Sequence, residues 1–168
     1  MKDNSKYGHL IQMATECGYE ESLGLGLMKV NDSMCPNCNA YFVHWVVPEG
    51  RSRELKQGHP PHIHKENEIL FFIGMDPENP HDLGGTFEIS FGEEMERHVI
   101  DKSCCLTIPG GLPHGRYIVR ETHRPWMFLR IHEGAARTEY PRLDLLSDEE
   151  RAQIEHPEYW VPVGFDEE

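Results

Sequence analysis

The chain has 168 residues, enough for one domain with an enclosed core, since domains typically hold roughly 100–200 residues. Its 16 Lys and Arg against 29 Asp and Glu leave a formal charge of −13 with histidines neutral, which repels a polyanion and argues against a nucleic-acid partner. No run of about 18 apolar residues marks a membrane span, and the opening "MKDNSKYGHL" lacks the basic-then-apolar layout of a secretory leader, so a soluble, cytoplasmic protein with no membrane partner is expected.

The first segment, "YGHLIQMATECGYE", sets Leu10, Ile11 and Ala14 at helical spacing and follows them with Gly18 as a stop, which predicts a short helical segment within residues 1–24. From "GLGLMKV" to "FLRIHEG" the chain becomes a series of short apolar or alternating runs separated by clusters of Gly, Pro, Asn and Asp. Closely spaced short strands with turn signals predict an all-β sandwich or barrel over residues 25–133.

Within that region "CPNC" brings Cys35 and Cys38 to half-knuckle spacing, but Cys104 and Cys105 are no matching pair and "NAYFVHWVV" reads as a strand. A thiol-bearing turn is expected rather than a zinc or redox site. With Cys17 the cysteines number five, an odd set, and reduced thiols are the expectation.

The stretch "HPPHIHKENEIL" carries the densest chemistry. Pro60 and Pro61 exclude a helix through this point and favour extended geometry. In a strand His62 and His64 point the same way, and Glu68, at even spacing from both, joins them. On a helix, residues two apart lie about 200° around the axis and could not chelate one ion. Two imidazoles and a carboxylate suit a divalent transition metal such as Fe, Mn, Ni, Co or Zn.

Next, "MDPENPHDLGG" reads as a long turn-rich loop. Beyond it, "TIPGGLPHGRY" offers His114 at a tight turn built by Pro109, Gly110, Gly111 and Pro113, the best source of a further ligand. Arg116, two residues on, is a candidate for the same cavity, where a guanidinium would bind an anionic substrate. In "WMFLRIH" either Met127, Leu129 and Ile131 or Phe128, Arg130 and His132 face the interior, and the apolar set is expected there. His44 and Trp45 carry the same ambiguity. The last 35 residues hold Ser147 three residues before Glu150, a capping box that predicts a short helix ending near Pro157. After it, Tyr159, Trp160 and Val161 need an apolar surface to pack on.

"HIHKENEILFFIG" resembles the first motif of the cupin superfamily, with His62, His64, Glu68 and Gly74 in the pattern, and "PGGLPHG" is similar to its second, met by Pro109, Gly111 and His114. The resemblance implies a double-stranded β-helix, or jelly-roll barrel, in one cupin domain over residues 1–168, with residues 134–168 as a tail carrying a short helix. It implies one divalent metal held by His62, His64, Glu68 and His114. On that basis a metal-dependent enzyme is expected, an oxygenase of the dioxygenase type acting on a small chelating anionic or diketone-like substrate. Glu68 would be ligand and base, and Arg116 would position substrate charge. The resemblance also implies O2-independent isomerases and decarboxylases, and non-catalytic modules that bind or sense a small ligand. It further implies a homodimer.

Overall fold

The structure, a computed structural model, describes residues 6–7, 10–11, 13–14, 25–48, 59–154 and 157–165. The helix expected within residues 1–24, with its stop at Gly18, and Cys17 lie outside the described residues apart from isolated positions.

Among the described residues ten strands follow in order: β1 (Leu25–Val30), β2 (Ala40–Val46), β3 (His62–Ile63), β4 (Glu68–Gly74), β5 (Asp82–Phe91), β6 (Glu96–Lys102), β7 (Cys104–Ile108), β8 (His114–Thr122), β9 (Trp126–His132) and β10 (Tyr140–Pro141). They form two five-stranded sheets, ordered β1-β2-β9-β4-β7 and β10-β3-β8-β5-β6. The all-β expectation for residues 25–133 is met. Neighbouring strands pair antiparallel throughout, as between β4 and β9, where Glu68 faces His132 and Gly74 faces Trp126. Among the described residues no helix is long and apolar enough to cross a membrane.

The two sheets enclose an interior graded along its length. One end is apolar and aromatic, with Val46, Phe72, Leu83, Phe87, Trp126 and Phe128 in one buried cluster. Burying each large side chain there contributes about 1.5–3 kcal/mol. Toward the other end the inward positions of the same strands turn polar: Glu68 on β4, His114 on β8, Arg130 and His132 on β9 are all buried. The apolar half thus supplies the folding free energy that lets the polar half stay dry.

Three local expectations need correction. The loop read across "MDPENPHDLGG" is shorter, because β5 already begins at Asp82. The register with β6 shifts between Asp82 and Phe87, and Gly84 there adopts φ 84°, a left-handed conformation that glycine takes without strain and that lets a bulged strand start inside a glycine pair. On β9 the inward set is Trp126, Phe128, Arg130 and His132, while Met127, Leu129 and Ile131 stand on the half-buried outer face. The expected apolar wall is on the wrong side, because the register places His132 opposite Ala40 and Glu68, both inward residues of the flanking strands. Finally, the capping box at Ser147 and Glu150 forms in both directions, but its helix covers only Asp148–Arg151, and Pro157–Tyr159 makes a separate 3-10 turn.

Cys35 and Cys38 sit where the turn before β2 was expected, both free. Burial and the neighbouring Cys35 push the Cys38 thiol up, which favours its protonated form. The C-terminal segment folds back on the barrel. β10 pairs with β3, Glu139 bridges Val163, and Trp160 packs edge-on against His59 at 4.5 Å, while Tyr159 and Val161 remain exposed.

Candidate metal centre

The sequence places His62, His64 and Glu68 on one face by counting along a single strand, and the structure reaches the same convergence by another route. β3 ends at Ile63, residues 64–67 cross between the sheets, and β4 begins at Glu68 in the opposite sheet. The three side chains meet across the interior rather than along one strand. His114 joins through the β3–β8 pairing, in which it lies directly opposite His62. One ligand atom from each of His62, His64, Glu68 and His114 falls within 4.8 Å of the others, and all four residues are buried.

Glycines make this approach possible. Gly115 adopts φ 142°, and a Cβ there would lie 2.6 Å from the Pro60 carbonyl oxygen. The backbone N–H of Arg116, itself at φ 54°, donates to the His59 carbonyl. The Pro60–Pro61 strap therefore lies flat on the start of β8. In the turn before it, the Gly111 N–H donates to the His64 carbonyl at 2.8 Å. The two histidine-bearing loops are thus bonded to each other before any ion is considered.

Hydrogen bonds also set the rings. Nδ1 of His62 donates to the Pro60 carbonyl at 2.9 Å, Nδ1 of His114 to the Leu112 carbonyl at 2.9 Å, and Nδ1 of His64 to the Thr138 carbonyl. A proton held on Nδ1 leaves the Nε2 lone pair free, the tautomer that a metal-binding imidazole needs, with the carbonyl as its orienting partner. Nε2 of His114 lies 3.0 Å from Oε2 of Glu68, and Nε2 of His64 lies 3.8 Å from the same oxygen.

The residues fit a divalent transition metal. Buried polar atoms are almost always hydrogen-bonded, yet Nε2 of His64 and Oε1 of Glu68 are buried without a hydrogen-bond partner. Three neutral imidazoles and one carboxylate are the donor set such an ion prefers.

Sequence reasoning missed part of the surroundings. Tyr117 donates its hydroxyl to Oε2 of Glu68 at 3.3 Å. His132 lies between two carboxylates, Nδ1 3.2 Å from Glu66 and Nε2 3.4 Å from Oε1 of Glu68. Glu66 in turn accepts from the backbone N–H and hydroxyl of Thr138. His59 is buried beside His62 at 4.4 Å between ring centroids, and its Nε2 lies 3.9 Å from Glu139. The pitch of "HIHKE" carries no trace of Glu139 or Tyr117, whereas His132 stood among the two-way choices of β9. His44 is buried too, stacked on Phe128. Arg116 does not join the group: its guanidinium pairs with Glu150 at 2.7 Å, with the side chain about a third exposed. Its left-handed backbone marks the bulge at Gly115, which breaks the strand alternation that would carry it inward. The guanidinium inside the barrel is that of Arg130, 4% exposed.

Burial lowers His59 to about 3 and His64 to about 4, and lowers His62 and His132 as well. For Glu68 burial acts upward but is outweighed by the neighbouring imidazoles, His114 first, then His132 and His64, so its carboxyl is held well below the usual range. Burial also pushes the Tyr117 phenol well up. Between pH 6.5 and about 4 the unfolded chain binds protons at His64 that the folded chain refuses, so stability is present above that interval and is lost as the pH falls through it. At 1.36 kcal/mol per pH unit, His64 alone contributes at most about 3 kcal/mol. Glu66, lowered to about 2 by His132 and Thr138 against its burial, acts in the same direction at lower pH. Protein stripped of metal with a chelator is therefore expected to melt at clearly lower temperature at pH 4.5 than at pH 7.5. Equal melting temperatures would contradict the neutral, buried imidazoles.

No family model matches the chain, and no curated protein matches it. Among solved structures, the polyketide cyclase RemF from Streptomyces resistomycificus superposes with a TM-score of 0.53 at 17% identity, covering 89% of this chain and 94% of that one. A variant of oxalate decarboxylase from Bacillus subtilis gives a TM-score of 0.50 at 16% identity over 79% of this chain and 32% of that one. A conserved protein with a double-stranded β-helix domain from Klebsiella pneumoniae gives 0.49 at 12% identity, covering 84% and 98%. This chain spans about a third of the oxalate decarboxylase chain and nearly all of RemF. The likeness is one of fold.

Proposed function

For a chain with the double-stranded β-helix fold of the cupins, we propose a metal-dependent enzyme, an oxygenase of the dioxygenase type acting on a small chelating anionic or diketone-like substrate. One observation carries the reading. Three buried imidazoles have Nδ1 committed to backbone carbonyls, and with Glu68 they bring one ligand atom each within 4.8 Å of one another.

His62, His64, Glu68 and His114 would hold one divalent ion, whether Fe, Mn, Ni, Co or Zn. The ion would supply Lewis acidity and redox capacity at positions left open to substrate. Glu68 keeps its carboxylate charged in a dry site, and Tyr117 holds a proton on its phenol 3.3 Å from Oε2 of Glu68. The apolar floor formed by Tyr117 and Phe128, with rings 6.5 Å apart, excludes water and suits a non-polar co-substrate such as O2.

A second reading, an O2-independent isomerase or decarboxylase, is favoured by the Tyr117–Glu68 pair. That pair sets a proton donor against a carboxylate in the way that proton transfer requires. We also propose that the chain works as a homodimer.

The test begins with metal analysis of the purified protein. Oxygen uptake is then followed with diketones and hydroxy acids, and sedimentation of the same preparation gives the assembly state. Bound metal with substrate-dependent oxygen uptake is the expected result. Turnover without oxygen uptake moves the assignment to the second reading. A chelating ligand that raises the melting temperature and is recovered unchanged would mark a binding module instead.

A further inference from the structure

Among the described residues Arg130 is a buried cation with no carboxylate partner. Its side chain is inward on β9 and 4% exposed, its Nε is buried without a hydrogen-bond partner, and its guanidinium carbon stands 4.6 Å over the ring of Phe42. Among the described residues no carboxylate pairs with it. The buried carboxylates have partners of their own: Glu68 meets His114, Glu139 meets Arg137 at 2.8 Å, and Glu88 meets Arg97 and Arg120. A cation over an aromatic face recovers only part of the hydration a buried guanidinium loses. Such a group is kept where an anion comes to meet it, and its planar fork matches a carboxylate in bidentate fashion.

Its position says what kind of anion. Arg130 and His132 are successive inward residues of β9, about 7 Å apart along the strand, and Nε2 of His132 lies 3.4 Å from Oε1 of Glu68. Arg130 also acts electrostatically on Tyr117 and His59, both neighbours of the four-residue cluster. A ligand reaching from the guanidinium to that cluster need be only a few atoms long. Ala40 and Phe42, the β2 partners of His132 and Arg130, also line a cavity of about 400 Å³ together with Lys29, Asp32 and Arg137.

We propose that Arg130, rather than Arg116, is the substrate-anion receptor of this site, and that the substrate is a short-chain carboxylate with one carboxylate on Arg130 and its other end at the His/Glu cluster. The proposal rests on the cluster being the working site, and it adds the substrate's charge and length.

The test is calorimetric titration of malonate, with malonamide as its neutral counterpart, into the full-length protein as purified, with metal content measured on each preparation. Wild type is expected to bind malonate at least tenfold more tightly than malonamide. Arg130→Met is expected to abolish that preference with metal content unchanged, Arg130→Lys to retain part of it, and Lys29→Met, in the lining of the neighbouring cavity, to retain all of it. Equal binding of malonate and malonamide by wild type, or an undiminished preference in Arg130→Met, overturns the proposal. Loss of the preference in Lys29→Met moves the anion site to the cavity that Lys29 lines and overturns it too. If Arg130→Met does not fold, the wild-type preference together with Lys29→Met decides. A preparation without metal that still prefers malonate through Arg130 refutes the metal reading and leaves the anion receptor standing.

Discussion

If the cluster binds a divalent metal as proposed, protein carrying His62→Ala together with His114→Ala is expected to purify with almost none of it. These residues face each other across the β3–β8 pairing, and both have Nδ1 bonded to a carbonyl of their own loop. Mutating a group that merely orients a ligand typically costs about 10–100-fold in metal affinity, so deleting two ligands costs more than that. The remaining pair, His64 and Glu68, makes a bidentate site too weak to survive purification. The exposed histidines His98 and His123 provide the control, since alanine at both leaves the interior untouched. Metal content by mass spectrometry, with circular dichroism to show that the fold persists, checks the result. Normal metal content in the double variant would end the assignment of His62, His64, Glu68 and His114 as ligands.

Gly115→Ala is expected to be strongly damaging for a single-methyl change. At φ 142° the position belongs to a region that only glycine occupies without strain, which alone costs about 1–3 kcal/mol. The new methyl would also meet the Pro60 oxygen at 2.6 Å and the Pro61 Cα at 2.9 Å. Backbone rather than a flexible side chain must move, so we expect about 3 kcal/mol or more of destabilisation in urea, together with weakened metal binding as His62 is pushed from His114. Gly111→Ala separates the two contributions. Gly111 is also left-handed, at φ 81°, but a Cβ there meets nothing within 4 Å. It should lose about 1 kcal/mol and keep its metal. Equal losses in the two variants would show that the contact with the Pro60–Pro61 strap is immaterial.

Much of the site was legible because its parts are local. Two prolines exclude helix before His62, and the turn residues of "PGGLPHG" mark where His114 is presented. Ser147 and Glu150 announce their capping box within four residues. Strand parity joins Glu68 to His62 and His64 only within one strand; they meet here by another path, because the chain changes sheets at residues 64–67. Arg116 lies outside the cluster, paired with Glu150, for a related reason. Alternation carries a side chain inward only while the strand is regular, and the bulge at Gly115 resets it. The residues that complete the surroundings, Tyr117, Glu66, Glu139 and Arg130, are placed by contacts across long stretches of sequence that no short motif encodes.

By itself the sequence determined the strand-and-turn rhythm, the extended entry at Pro60 and Pro61, and the residue types available to bind an ion. Period-two alternation splits β9 into two sets of side chains, but it carries no sign saying which set is inward. That sign was decided only by tertiary structure. The register with β2 and β4 puts His132 between Ala40 and Glu68, and so turns Arg130 and His132 into the barrel and Leu129 and Ile131 away from it. The physical reason is that strand pairing fixes a whole face at once, and the burial of Trp126 and Phe128 at the apolar end carries the polar end of the same strand in with it.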